Sequence, residues 1–183
     1  MSKRRLGVGA VVVALLVAGV WSGIGSARWL GTDTEAIALT AALTPGKEVP
    51  KPVGAKAGAG GRFSAGLTRK ATGGALAWRL TFHGLTGRAI AAHVHIGAPG
   101  KAGPIAVPLC GPCRSGQRGD AKVNARTMAA LLAGRAYVNV HTPKNPAGEI
   151  RGQARKGGQA VAPPTTTTTT DTTTTSTPYP PYP

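Results

Sequence analysis

Two histidines stand two positions apart in a short apolar run, and a third occurs in a similar run further along the chain. These residues are His93, His95 and His141. Successive side chains of a β-strand point to opposite faces, so His93 and His95 share one face of a predicted strand. Zinc and copper both accept imidazole nitrogens as ligands. The three histidines, with Glu149 as a further ligand, therefore form a candidate metal site.

The same residues also admit a structural interpretation. Tyr137, Asn139, His141, Glu149 and Arg151 alternate along two consecutive predicted strands. They could form a polar network that fixes the register of those strands. Metal binding requires the rings to converge, which the sequence does not show, so the sequence favours the structural interpretation.

Cys110 and Cys113 are the only cysteines, and they enclose Gly111 and Pro112. The same tetrapeptide occurs in thioredoxins, where it follows a strand and opens a helix. Here Arg114–Gly119 follows it and starts no helix, so thiol–disulfide exchange is the weaker hypothesis. In an exported protein the pair is expected to be oxidised, as a structural disulfide closing a short loop.

The elements that must position these residues are mainly β-strands, because apolar and polar residues alternate along the chain. The clearest strand carries Leu76, Trp78, Leu80 and Phe82 on one face. It follows an alternating run at 62–69 across a turn, as in a β-hairpin. Further strands are predicted at 37–43, 89–97, 105–109, 135–142 and 149–154, with Pro108 indicating a sheet edge or strand end.

One short helix is predicted at 125–133, capped by Asn124 and ended by Gly134. The segment from Cys110 to Asp120, which precedes it, is predicted to be a loop. The pattern as a whole predicts an antiparallel all-β domain at 36–155.

Both ends of the chain differ from this domain. Residues 1–27 have the charged start, apolar middle and small final residues of a secretory leader. The 19 uncharged residues from Leu6 to Ile24 are also long enough for an uncleaved membrane anchor. Both alternatives place the domain outside the cytoplasm. Residues 156–183 are predicted to be a disordered tail, because their threonine run and Pro-Tyr repeats cannot bury apolar surface.

The chain is strongly basic, with a formal net charge of +16 over 183 residues. Cleavage of the leader would remove Lys3, Arg4 and Arg5 and leave +13. The basic residues are dispersed and few aromatics accompany them, so a solvated basic surface is favoured over a specific nucleic-acid site. Between 36 and 155 the only acids are Glu48, Asp120 and Glu149, which argues against a glycosidase carboxylate pair.

Several segments resemble the CHRD domain, the repeat first described in chordin. Glu48–Pro50 is similar to the E-V-P element that opens the family's pattern, and Ala92–Gly97 followed by Gly103–Leu109 is similar to its middle. The most specific likeness is L-x-x-G-x-x-Y-V-N-V-H-T at 131–142 with N-P-x-G-E-I-R-G-Q at 145–153. The resemblance covers about residues 36–155. It implies an immunoglobulin-like sandwich or barrel and no established enzyme activity.

Bacterial members of the family are typically exported, and the resemblance therefore favours a non-enzymatic binding or structural module at the cell envelope. Its expected partner is an envelope polymer or an extracellular protein, with no cofactor. The alternative is a copper- or zinc-binding domain that uses His93, His95 and His141. Copper–zinc superoxide dismutases also place an H-x-H pair on a strand, but their downstream ligand pattern is not present here, so this likeness is an analogy.

Overall fold

The computed structural model describes residues 35–163. Within them the chain forms two antiparallel sheets. The larger, five-stranded sheet contains β1 (Ile37–Leu43), β2 (Gly60–Lys70), β3 (Gly73–His83), β6 (Gln117–Asn124) and β9 (Arg155–Lys156). The smaller, four-stranded sheet contains β4 (Ala91–Ile96), β5 (Ile105–Cys110), β7 (Ala136–His141) and β8 (Ile150–Gln153). Their strand orders are β6-β3-β2-β1-β9 and β5-β4-β7-β8.

The predicted all-β sandwich is confirmed, and its core lies between the two sheets. Alternation turns the apolar side chains of both sheets inward, because each strand presents every second residue to the same face. Phe63, Leu67 and Leu80 of the larger sheet are fully buried there, as are Val94 and Val138 of the smaller one. The remaining face of the smaller sheet carries the polar residues.

The two sheets meet at one edge. The backbone N–H of Thr44 donates to Arg151 O at 3.0 Å, and the N–H of Arg151 donates to Thr44 O at 3.2 Å. A short 3-10 helix, Pro45–Lys47, follows directly after β1. The chain from Thr44 to Lys51 is thereby held beside β8.

The predicted hairpin is β2–β3, which pairs from Gly60 opposite His83 to Lys70 opposite Gly73. Helix α1 (Ala125–Leu132) begins at the predicted cap, where Asn124 Oδ1 accepts the N–H of Thr127 at 2.8 Å. The strand with Pro108, β5, lies at a sheet edge as expected.

The prediction of a loop from Cys110 to Asp120 is wrong at both ends, because Cys110 is the last residue of β5 and the last four residues lie in a strand. Residues from Gln117 onward belong to β6, which pairs with β3 from Leu80 opposite Gln117 to Gly73 opposite Asn124. Arg118, Asp120 and Lys122 alternate with small residues on this strand. Since β6 is an edge strand, its outward side chains are charged and its pattern looks like that of a loop.

The predicted leader at 1–27 lies outside the described residues, as does the tail from residue 164 onward. The part of the predicted tail that is described continues along the larger sheet, where the N–H of Gly157 donates to Ala38 O at 3.0 Å. No helix among residues 35–163 has the length and hydrophobicity needed to cross a membrane.

Candidate metal centre

The polar face of the four-stranded sheet is built by strands β4 and β7. In their register His93 lies opposite Asn139, and His95 lies opposite Tyr137. His141 is two residues beyond Asn139 on β7, so it shares the same face. The valines that alternate with these residues are buried in the core. The pattern that fills the core therefore also brings the three histidines to one surface of the sheet.

The three imidazoles converge. One nitrogen from each of His93, His95 and His141 can be chosen so that all three lie within 4.8 Å of one another. His93 Nδ1 and His141 Nε2 are 3.0 Å apart. Ligand nitrogens about 2.0–2.1 Å from a tetrahedral ion lie roughly 3.3 Å apart. The cluster thus has the dimensions of a three-histidine metal site after a small inward movement of His95.

Backbone carbonyls fix the tautomers of two of these rings. His95 Nδ1 lies 2.8 Å from Gly103 O, and His141 Nδ1 lies 2.8 Å from Pro146 O. A carbonyl oxygen only accepts, so each Nδ1 carries the proton and each Nε2 presents a lone pair. This is how ligating histidines are oriented in metalloproteins. The Nε2 of His95 is buried and makes no hydrogen bond of normal geometry within residues 35–163, although the Asn139 side chain is near enough to raise the pKa of His95.

The three rings are neutral at physiological pH. Burial and, to a smaller extent, the neighbouring His141 and His95 together lower the pKa of His93 to about 4. Burial also lowers the pKa values of His95 and His141 below their usual value, even though hydrogen bonds to Gly103 and Pro146 act in the opposite direction. Neutral imidazole is the form that binds metal, so protons do not compete for these nitrogens near pH 7.

Tyr137, Asn139 and Arg151 surround the cluster. The Tyr137 ring stacks on His95, with centroids 4.8 Å apart, and the Arg151 guanidinium lies 3.3 Å from the centre of the Tyr137 ring. Arg151 Nη2 donates to the carbonyls of Ala98 and Lys101 at 3.2 and 2.8 Å. The predicted network is thus tied to the 97–104 loop, which holds the His95 ring in place.

Glu149 lies outside the convergent cluster. Its Oε1 accepts the Thr86 N–H at 2.7 Å, and its Oε2 accepts the hydroxyls of Thr86 and Thr142, each at 2.6 Å, and Asn145 Nδ2 at 3.2 Å. Burial raises the pKa of Glu149, but these hydrogen bonds outweigh burial and leave the pKa below its usual value. Because both oxygens are occupied, this carboxylate holds two loops together and is not offered to a metal.

Glu48 is a buried acid of this region that the sequence reasoning did not assign. Burial raises its pKa to about 7, against the lowering effects of the Val49 N–H, Arg151 and Asn139. Gly148, with φ +129°, passes so close that a Cβ there would collide with the Glu48 carboxylate. The signal available in the sequence was the scarcity of acids, since Glu48 is one of only three in the domain.

The cysteine pair lies at the end of β5, which pairs with β4 along the edge opposite β7. Its sulfurs are 2.12 Å apart, as in a disulfide, and Cys113 packs against the hydrophobic core. This burial favours the structural role over exchange with other thiols. A surface cleft of about 410 Å³, lined by residues 108–111, reaches one member of the histidine cluster, His93.

Searches of curated proteins and of solved structures found no match to this chain. A model of the family described as "CHRD domain" matches residues 39–154, a range that contains all three histidines, Glu48 and Arg151. The match spans more than half of the sequence, and the chain therefore belongs to the CHRD domain family.

Proposed function

We propose that this chain is an extracytoplasmic CHRD-type binding module that holds one zinc or copper ion at His93, His95 and His141. The observation that carries the proposal is the convergence of three buried, neutral imidazoles, one of which has an unpartnered nitrogen. A purely structural histidine would satisfy both ring nitrogens or expose one to water. The Nε2 of His95 neither makes a hydrogen bond of normal geometry with the described residues nor is exposed to water.

A second observation concerns the protons in the cluster. His141 Nε2 lies 3.0 Å from Asn139 Oδ1 as well as 3.0 Å from His93 Nδ1. The Asn139 amide is oriented by its Nδ2, which donates to Ala147 O at 3.5 Å. With His141 neutral and its proton on Nδ1, its Nε2 can accept from His93 Nδ1 but cannot donate to Asn139 Oδ1. A cation bound by His141 Nε2 would turn this contact between two acceptors into an attractive one.

The ligand set supports zinc or copper over harder ions. All three side chains offer nitrogen, which suits zinc and copper, whereas calcium and magnesium require oxygen ligands. Three neutral ligands leave the full charge of the ion in the site and a coordination position for water or a partner's side chain. The proposed setting at the cell envelope rests on the predicted leader, and the proposed partner remains an envelope polymer or an extracellular protein.

Metal analysis of the purified protein tests the proposal. After loading with zinc or copper and removal of free ion at neutral pH, we expect about one ion per chain. His95→Gln and His141→Gln should each lose the ion while far-ultraviolet circular dichroism stays that of a β protein. His83→Gln, which changes an exposed histidine outside the cluster, is the matched control and should retain it. Metal content far below one ion per chain, or equal loss in the control, would contradict the proposal.

A further inference from the structure

Asn139 lies among the three histidines on the polar face of the smaller sheet. In the register of β4 and β7 it is opposite His93, and along β7 it stands two residues before His141. Its side chain therefore points to the same face as the imidazoles. Asn139 is only 2% exposed, so its amide group must find its partners within the protein and not in water.

The amide nitrogen of Asn139 faces acceptors. Its Nδ2 donates to Ala147 O at 3.5 Å. Burial raises the pKa of Glu48, and the Asn139 side chain is among the groups that act against this rise. An N–H donor beside a carboxylate has this effect, whereas an amide oxygen would repel the charge. The two acceptors thus orient the amide, with Nδ2 toward Glu48 and Oδ1 toward the histidines.

The amide oxygen of Asn139 faces two of the rings. Oδ1 lies 3.0 Å from His141 Nε2, a nitrogen without a proton because Nδ1 of that ring donates to Pro146 O. Burial lowers the pKa of His95, and Gly103 and Asn139 act against this lowering, as acceptor oxygens beside a ring do. Oδ1 therefore lies beside ring nitrogens that present lone pairs, and a bound cation would make this arrangement favourable.

We propose that Asn139 Oδ1 is the fourth ligand of a zinc ion bound by the three histidines. The inference rests on the proposed metal centre and fills the coordination position that the histidines leave. Ligand atoms of a tetrahedral zinc ion lie roughly 3.3 Å apart, and the 3.0 Å between Oδ1 and His141 Nε2 is close to this separation. Two ligands then come from β4 and two from β7, so the ion cross-links neighbouring strands. A closed site of this kind is structural and does not activate water.

Cobalt(II), which replaces zinc in tetrahedral sites and absorbs visible light, tests the assignment. A water molecule in the fourth position would lose a proton at about pH 7 and change the absorption spectrum, whereas an amide oxygen has no proton to lose. We expect the spectrum of the cobalt-loaded wild type to stay the same through this range. A spectrum that titrates would overturn the role of Asn139 while leaving the three-histidine site in place. The absence of cobalt and zinc binding would contradict the proposed metal centre and this inference with it.

Two substitutions of Asn139 distinguish a ligand from a residue that only positions its neighbours. Asn139→Ala should weaken zinc binding by about tenfold or more and give a cobalt spectrum that titrates near about pH 7, because water replaces the amide oxygen. Asn139→Asp keeps a ligand oxygen and adds a negative charge, so it should bind zinc at least as tightly as the wild type.

A residue that acted only through Nδ2 would not be replaced by aspartate, which has no N–H to donate. Loss of zinc by Asn139→Asp would therefore overturn the proposal. Asn124→Ala, which removes an amide outside the cluster, is the matched control and should leave the zinc affinity and the cobalt spectrum unchanged.

Discussion

The three histidines lie on the face of the smaller sheet that points away from the apolar core. The alternation of β4 and β7 predicted that His93, His95 and His141 lie on polar faces, and the structure places them together. The sequence could not show that β4 and β7 are neighbours, because strand order depends on contacts between distant parts of the chain. It also could not show that the Gly103 and Pro146 carbonyls orient two of the rings.

The carboxylate of Glu149 shows the opposite case, a residue whose type suggests a metal ligand and whose contacts make it structural. We expect Glu149→Gln to lower the free energy of unfolding by about 3 kcal/mol, because the new amide N–H group would face donors in a buried site. Urea denaturation at pH 7 measures the effect. Glu35→Gln, at an exposed carboxylate, is the control and should change stability by less than about 0.5 kcal/mol.

The same substitution has a defined pH dependence. The pKa of Glu149 lies below its unfolded value, so its contribution to stability is present above about pH 4.5 and is lost as the pH falls through the folded pKa. Glu149→Gln should therefore be destabilised relative to the wild type at pH 7 and approach it under acidic conditions. A constant difference at all pH values would contradict the role of the ionised carboxylate.

At the scale of elements, strands whose inward residues are large were predicted and the strand whose inward residues are small was not. The large apolar residues Leu76, Trp78 and Leu80 of β3 indicate a buried face. β6 has only the small residues Gly119 and Ala121 between its charged residues, and these do not indicate one. The small residue is required, because a Cβ at Gly119 would lie 2.6 Å from the Trp78 ring. Because Gly119 packs closely against Trp78, β6 lacks the alternation of large apolar and polar residues that identifies a strand in the sequence.

Helix α1 follows β6 directly and depends on its cap. Asn124 ends β6 and caps the helix through its side chain, so one residue closes the strand and opens the helix. We expect Asn124→Ala to lower the free energy of unfolding by about 1 kcal/mol, because the Thr127 N–H loses its acceptor. Chemical denaturation measures this. Asn124→Ser, which keeps an acceptor oxygen, should cost only a few tenths of a kcal/mol, and an equal loss in both variants would show that the cap is not responsible.

For the whole molecule, folding creates an apolar core between the sheets and a second, polar interior beneath the loops at 44–53 and 97–104. The first was foreseeable from alternation. The second was not, because it forms only when β1 meets β8 through Thr44 and Arg151 and brings Glu48 over the smaller sheet. The candidate metal site belongs to this polar interior, which explains why residues far apart in the sequence contribute to it.

This polar interior also sets how stability depends on pH. The three histidines have lowered pKa values, so the folded state takes up fewer protons than the unfolded chain and loses stability as the pH falls below about 6.5. Glu48 acts in the opposite direction. Its pKa is raised to about 7, so the folded state holds a proton that the unfolded chain releases, and this contribution to stability is lost as the pH rises from about 4.5 to 7.

Glu48→Gln separates the two effects, because glutamine resembles the protonated acid at every pH. We expect the metal-free variant to be more stable than the wild type by about 3 kcal/mol at pH 7.5, from the raised pKa of Glu48. The difference should shrink to near zero at about pH 4.5. Comparing the free energies of unfolding of both proteins in urea at the two pH values cancels the histidine contribution, which both share. A variant that is less stable than the wild type at pH 7.5 would mean that the ionised Glu48 stabilises the fold through Arg151, and that attraction to the guanidinium outweighs the cost of burial.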